Sequence, residues 1–292
     1  MDNHRKIQIV GNRSYAVSLP KDWVESNKLK RKDTIFFSKT SDNKLIISVD
    51  KESYNKNDSL EISINKIRNL SEFLMFCYVK SIDNLTLTSD KFDYAKVTQI
   101  REALNCLEGY EIVSEDEKVI KISFMFKDTN ITIPQIIRRM VYLLKLLLDS
   151  VIDKNEKGIG QTENSIDRLY HLSKRILLSC STSSSKRIEN QVLNDEDIFF
   201  KRDIIKKLEG IGDSICQLSH KPFEKKDVDS IRKLLSLIES TLLTSKDIDE
   251  TMNSFEKLNN LSTKNIVTLK IFDRAKDLME NMLFIEFNKK FS

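Results

Sequence analysis

The stretch Lys206-Lys207-Leu208-Glu209-Gly210-Ile211-Gly212-Asp213-Ser214-Ile215 decides how the second half of the chain is read, because it sets two glycines and two carboxylates inside an otherwise helical pattern. A phosphate-cradling loop needs a strand before its glycines and a completed GxGxxG or GxxxxGK[ST] run, and neither is present. Asp213 would also oppose a phosphate. The stretch therefore reads as helix, with Glu209 and Asp213 one turn apart on one face. Each glycine costs about 1 kcal/mol relative to alanine in a helix interior, so a compensating gain is expected from close helix approach or from room for an ion.

The preceding helix, about Thr162 to Cys180, carries Glu163 and Asp167 at the same spacing. With 44 Asp and Glu in 292 residues, random placement gives about six or seven such pairs, so one pair alone means little. Two pairs near the middle of consecutive antiparallel helices are different. They bring four carboxylates, Glu163, Asp167, Glu209 and Asp213, within reach of one cation. His171 continues the spacing of Glu163 and Asp167 and is weighed as a further metal ligand against a plain buried histidine.

Residues 131–292 read as helical throughout. An apolar stripe through Ile136, Ile137, Met140, Leu143, Leu144, Leu147, Leu148 and Val151 follows Pro134. A break is expected at Gly158-Ile159-Gly160, and a loop over the serine-rich run Ser179 to Ser185. Further helices are expected over about Lys186 to His220, Asp227 to Thr244, Asp247 to Asn260 and Thr263 to Asn288. Their short connections predict two three-helix bundles end to end.

Residues 1–52 alternate instead. Ile7 to Ile9, Tyr15 to Leu19, Ile35 to Phe37 and Leu45 to Val49 read as four short strands, with a turn at Gly11-Asn12 and a short helix over Lys21 to Asn27. A unit of about 45 residues without disulfide or metal rarely buries enough surface alone, so a homodimer through this unit is expected. Between the two lies a small α/β module, residues 58–128. It has strands at Leu60 to Ile64 and Leu85 to Thr88, helices at Ser71 to Ile82 and Ala95 to Leu107 ended by Gly109, and a hairpin from Tyr110 to Phe126. The fold class is thus α+β and multidomain.

Charge separates the segments. The net charge is +4, and the first fifty residues alone hold ten Lys and Arg against six Asp and Glu, so attraction to an anionic polymer is concentrated there. The four cysteines are scattered and form no CxxC, so neither a zinc ribbon nor a disulfide framework is indicated. No signal-peptide core opens the sequence and the most apolar helix is interrupted by Arg138, Arg139 and Lys145, so a cytoplasmic protein without membrane insertion is expected. No nucleophile and base are paired, and the Glu-x-x-His motifs of ferritin-like di-metal sites are missing, so no enzymatic activity is expected.

Two resemblances bear on function. The order Arg5-Lys6-Ile7, Gly11-Asn12-Arg13-Ser14, Val17-Ser18-Leu19-Pro20-Lys21, short helix, Leu29 to Thr34 and closing hairpin resembles the SpoVT/AbrB family. That resemblance implies a swapped-hairpin β-barrel dimer that binds DNA, here through Arg5, Lys6, Arg13 and Lys21. Where well-known members carry an arginine pair after the proline, this chain has Val24 and Glu25.

The run Leu208-Glu209-Gly210-Ile211-Gly212-Asp213 is similar to the LERIGD signature of the PhoU family, and Glu163 to Tyr170 to its preceding ExxxD helix. In that signature Gly210 stands for an arginine, and Ser214 for the histidine that follows it. This resemblance implies a pair of three-helix bundles with a metal held by Glu163, Asp167, Glu209 and Asp213. Iron or zinc is the expected ion, with magnesium as a further candidate. The order of segments resembles archaeal PhoU-type regulators. It implies a phosphate-responsive transcriptional regulator or, alternatively, an adaptor that binds no DNA and contacts a phosphate ABC transporter or a sensor kinase. In the second bundle Asp273 and Asp277 form a lone pair, so one metal site is expected.

Overall fold

The computed structural model describes residues 4–11, 14–39, 45–49, 59–126, 131–244, 248–259 and 265–291. The chain divides into two compact units, residues 1–56 and 57–292.

In the smaller unit, β1 (Gln8–Val10) pairs antiparallel with β2 (Ser14–Ala16), and β3 (Phe36–Lys39) with β4 (Leu45–Ser48). Gly11 takes a positive φ of 65° at the first turn, a conformation that favours glycine. Pro20 then caps α1 (Lys21–Ser26). The two ladders are separate within one chain. Large apolar side chains on them are open to solvent: Ile9 is 74% and Tyr15 76% exposed, and Val17 and Phe37 are exposed as well. None of the side chains of β1, β2 and α1 is buried, so a single copy leaves this apolar surface uncovered.

The larger unit begins with β5 (Ser59–Ser63), a 3-10 turn (Ile64–Lys66), α2 (Leu70–Val79) and β6 (Asn84–Thr88). It continues through α3 (Tyr94–Asn105), β7 (Tyr110–Glu115) and β8 (Val119–Phe124). The strands form one mixed sheet in the order β5-β6-β8-β7, with β5 and β6 parallel across the α2 crossover and the rest antiparallel. Asn69 and Asp93 cap the two helices by accepting the backbone N–H of Glu72 and Lys96. Alternate residues Leu85, Leu87, Ile120 and Ile122 are buried together with Leu74, Cys77, Tyr78 and Ile100. α3 stops at Asn105, short of the expected Leu107. Gly109 instead serves the turn into β7, at φ 86°, where a Cβ would meet Phe126 at 2.8 Å.

Among the described residues seven helices follow: α4 (Ile133–Ile152), α5 (Glu156–Thr182), α6 (Ser184–Glu189), α7 (Asp195–Leu218), α8 (Lys225–Thr244), α9 (Ile248–Asn259) and α10 (Ile266–Phe291). A capping box between Thr132 and Gln135, with Pro134 in the first turn, starts α4 as its sequence requires.

Three expectations are corrected. No break occurs at Gly158-Ile159-Gly160, because Asn155 accepts the Gly158 N–H at 3.0 Å and places both glycines in the opening turns of α5. The serine-rich run stays helical to Thr182. Its hydroxyls, such as Ser179 and Ser181, donate to carbonyls three residues back, and only Ser183 leaves the helix. The expected helix from Lys186 to His220 is two helices, parted where Gln191 adopts φ 54° and Asn194 caps α7.

The bundle arrangement is corrected as well. α4, α5 and α7 pack on one another, as do α8, α9 and α10. The two sets lie side by side, because α7 packs extensively on α10, and α4 on α8. One continuous core therefore runs from the sheet through the helices, with α2 resting on α5. Among the described residues no helix is long and apolar enough to cross a membrane.

Candidate functional site

The carboxylates singled out on α5 and α7 meet between the two helices. One oxygen from each of Asp167, Glu209 and Asp213 lies within 4.8 Å of the others, and all three residues are half-buried. Burial raises the Asp167 carboxyl above its ordinary range, and the neighbouring Asp213 and Glu163 charges add to the shift. Burial likewise raises Glu209, followed by Asp213 and Asp167, while Arg274 and Lys206 oppose the rise. Like charges held this close in a partly desolvated cleft favour either protonation or a cation.

Glu163 is not one of the three convergent residues. It sits one turn before Asp167 and its carboxylate accepts from the thiol of Cys216. Burial, with the Glu163 charge next, pushes that thiol up to about 12. Sequence reasoning missed Cys216, although it follows Asp213 by three residues and so shares its helix face. The donor set is therefore three hard carboxylate oxygens with a fourth carboxylate and a thiol beside them. Such a set suits a divalent or trivalent cation.

Packing explains one of the two glycines. A Cβ on Gly210 would stand 3.1 Å from Cζ and Nε of Arg274, and one on Gly212 would stand 3.4 Å from Ile166 and Leu144. Arg274 reaches over from α10 and donates from Nη1 to Ser214 Oγ at 2.5 Å. Gly210 and Ser214 thus form one recess for a guanidinium supplied by another helix. Close approach of α10 is thus what Gly210 provides, whereas a Cβ on Gly212 would make little more than ordinary contact.

His171 is not brought to the carboxylates. Its Nδ1 is buried without a hydrogen-bond partner, its ring lies 5.3 Å from that of Tyr170, and burial followed by Lys174 pushes its pKa down to about 4. In the second set of helices Asp277 is held by Lys207. Among the described residues no second group of converging ligands occurs.

Of the basic residues expected to meet DNA, Arg5, Lys6 and Lys21 are exposed on the smaller unit, while Arg13 lies outside the described residues. Arg5 donates to the His4 carbonyl at 3.0 Å. Lys21 pairs with Glu25 at 3.6 Å across one helical turn, both side chains being largely solvated.

A family model described as antidote-toxin recognition MazE, bacterial antitoxin, matches residues 8–64. The matched stretch covers both hairpins and α1 and runs on through β5. It supports an AbrB/MazE-like domain at this end of the chain, consistent with a DNA-binding regulator or an antitoxin. Nothing among curated proteins or solved structures matches the chain.

Proposed function

We propose that this protein is a dimeric, phosphate-responsive transcriptional regulator of the cytoplasm, with no enzymatic step of its own. The observation that carries the reading is the AbrB/MazE-like match over a strand unit whose apolar side chains are left open and whose charge is basic. A second copy would cover that apolar surface in a swapped-hairpin barrel, and Arg5, Lys6, Arg13 and Lys21 would face the phosphate backbone.

The helical part supplies the sensor in this reading, in keeping with its resemblance to PhoU. Asp167, Glu209 and Asp213, with Glu163 beside them, would hold iron or zinc, or magnesium as a third candidate. The bound ion would supply positive charge between α5 and α7. The protein's own contribution is to hold three carboxylates in place against their mutual repulsion, with the Arg274 charge opposing part of it at Glu209. Loss of the cation restores the repulsion and biases the α5–α7 pair toward separation.

The test is a DNA shift assay on the full chain over a salt series, beside elemental analysis. Affinity should fall steeply with salt, and Arg13→Ala should flatten the slope by about one phosphate contact. Absence of binding at low salt removes the DNA half, and unchanged metal content in Glu209→Ala/Asp213→Ala removes the sensor half.

A second reading is favoured by the Lys21–Glu25 pair, which puts negative charge on the helix expected to approach DNA. In it the strand unit only dimerises, and the helical part is an adaptor for a phosphate transporter or sensor kinase. Capture of such a partner under phosphate-replete conditions, without a DNA shift, selects this reading.

A further inference from the structure

A cavity of about 340 Å³ lies inside the larger unit, bordered by the turn after α2, the end of β8 and the corner between α5 and α6. Ligand sites occupy roughly 300–1,000 Å³, so this one suits a small molecule. Phe124, Phe126, Leu172 and Ile176 make its apolar wall.

The polar side is built around Arg175, which borders the cavity although it is only 6% exposed. Its Nη1 donates to the Tyr78 carbonyl at 2.6 Å, its Nη2 to Asp83, and its guanidinium lies 3.8 Å from the centre of the Phe124 ring. These bonds and the one shared with the Tyr110 hydroxyl do not exhaust its five N–H donors. The guanidinium is thus locked in orientation with donors to spare.

Charge narrows the ligand. Among the described residues Asp83 cancels Arg175, which leaves Lys186 as the remaining cation on the wall. Lys186 is paired at 2.8 Å with Glu189, but that pair is short-range in sequence and solvated. Such pairs contribute about 0–1 kcal/mol and exchange readily. One net positive charge matches a single carboxylate better than a phosphate dianion.

We propose that this cavity binds a small monocarboxylate with an aromatic or branched apolar body. The carboxylate lies between Arg175 and Lys186, and the body rests on Phe126, Leu172 and Ile176. Asp83, Phe124 and Phe126 belong to the sheet module, and Arg175 and Lys186 to the helices, so the occupant touches both. The carboxylates of the candidate metal centre do not border the cavity. Binding here is independent of the DNA and metal readings.

The test is calorimetric titration of the full chain with phenylacetate, indole-3-acetate and 4-methylpentanoate, with phenylacetamide as the uncharged control. At least one acid should bind saturably, one per chain, and phenylacetamide about tenfold or more weakly than phenylacetate. Lys186→Met should weaken the bound acid about tenfold. Ser179→Leu, which fills the cavity from its wall and leaves the Arg175–Asp83 pair intact, should abolish binding, with circular dichroism and melting confirming that both variants fold. The proposal is overturned if no acid binds at millimolar concentration, if acid and amide bind alike, or if the folded Ser179→Leu protein binds as before.

Discussion

The guanidinium of Arg274 lies so close to Gly210 that a methyl group there would stand 3.1 Å from its Cζ and Nε, tighter than ordinary contact between α7 and α10. Alanine at a helix-interior glycine ordinarily gains about 1 kcal/mol. Here Arg274 is tethered to Ser214 and its charge acts on Glu209, so it cannot shift freely. Gly210→Ala should therefore lower stability, by about 1 kcal/mol, whereas Gly160→Ala, with open space around it, should raise it by a similar amount. In urea melts the Gly210→Ala cost should vanish in an Arg274→Ala background, a coupling that separate additive effects would not produce.

The raised carboxyls of Asp167 and Glu209 give a signed prediction for the metal-free protein. A carboxyl whose folded pKa lies above its unfolded value contributes stability at low pH and loses it as pH rises through the folded pKa. At neutral pH the cluster is thus a burden until a cation is present. Asp213→Asn should raise the melting temperature of chelator-treated protein slightly, by a few tenths of a kcal/mol in stability, and should abolish the gain expected for the unaltered chain on adding iron or zinc. A loss of stability in the metal-free variant would mean that the group serves packing alone.

His171 runs the other way. Its pKa near 4 in the folded chain lies below the ordinary 6.5, so its contribution is complete above that ordinary value and is lost as pH falls toward 4. Denaturant melts at pH 7 and pH 5 should show a smaller difference for His171→Gln than for the unaltered protein. Equal differences would place the acid sensitivity elsewhere.

Asp83 neutralises a buried arginine that fastens the sheet module to the bundle. Removing one partner of such a pair leaves an uncompensated charge, a loss of about 3–5 kcal/mol. Asp83→Ala should approach the lower end, because Asp83 itself is partly exposed. The expected signature is early protease cleavage within the sheet module, ahead of the bundle.

Much of this arrangement is legible in the sequence wherever period and partner are local. The alternation around Leu85 and Ile120 marks strands, the stripe from Ile136 to Val151 marks α4, and the four-residue spacing on α5 and α7 predicts the meeting of Asp167, Glu209 and Asp213. The misreadings share a cause in groups distant along the chain or hidden in caps. Asn155 makes Gly158 a first-turn residue, and Arg274, 64 positions beyond Gly210, makes that glycine a recess. Side-by-side packing arises because α7 has two apolar faces, one toward α4 and α5 and one toward α10, and a pattern read for a single buried stripe misses the second.

The 27-residue α5 carries the acidic cleft at its middle and the arginine that grips the sheet about two turns further on. At 1.5 Å per residue, Asp167 and Arg175 are about 12 Å apart along one rod without a hinge. Such a rod acts as a lever: a twist applied by α7 at one point must reappear at the other, since no glycine or proline lies between to absorb it. One residue inserted between them turns the distal part by about 100°, and would uncouple the gripping arginine from the sheet while leaving the cleft between α5 and α7 intact.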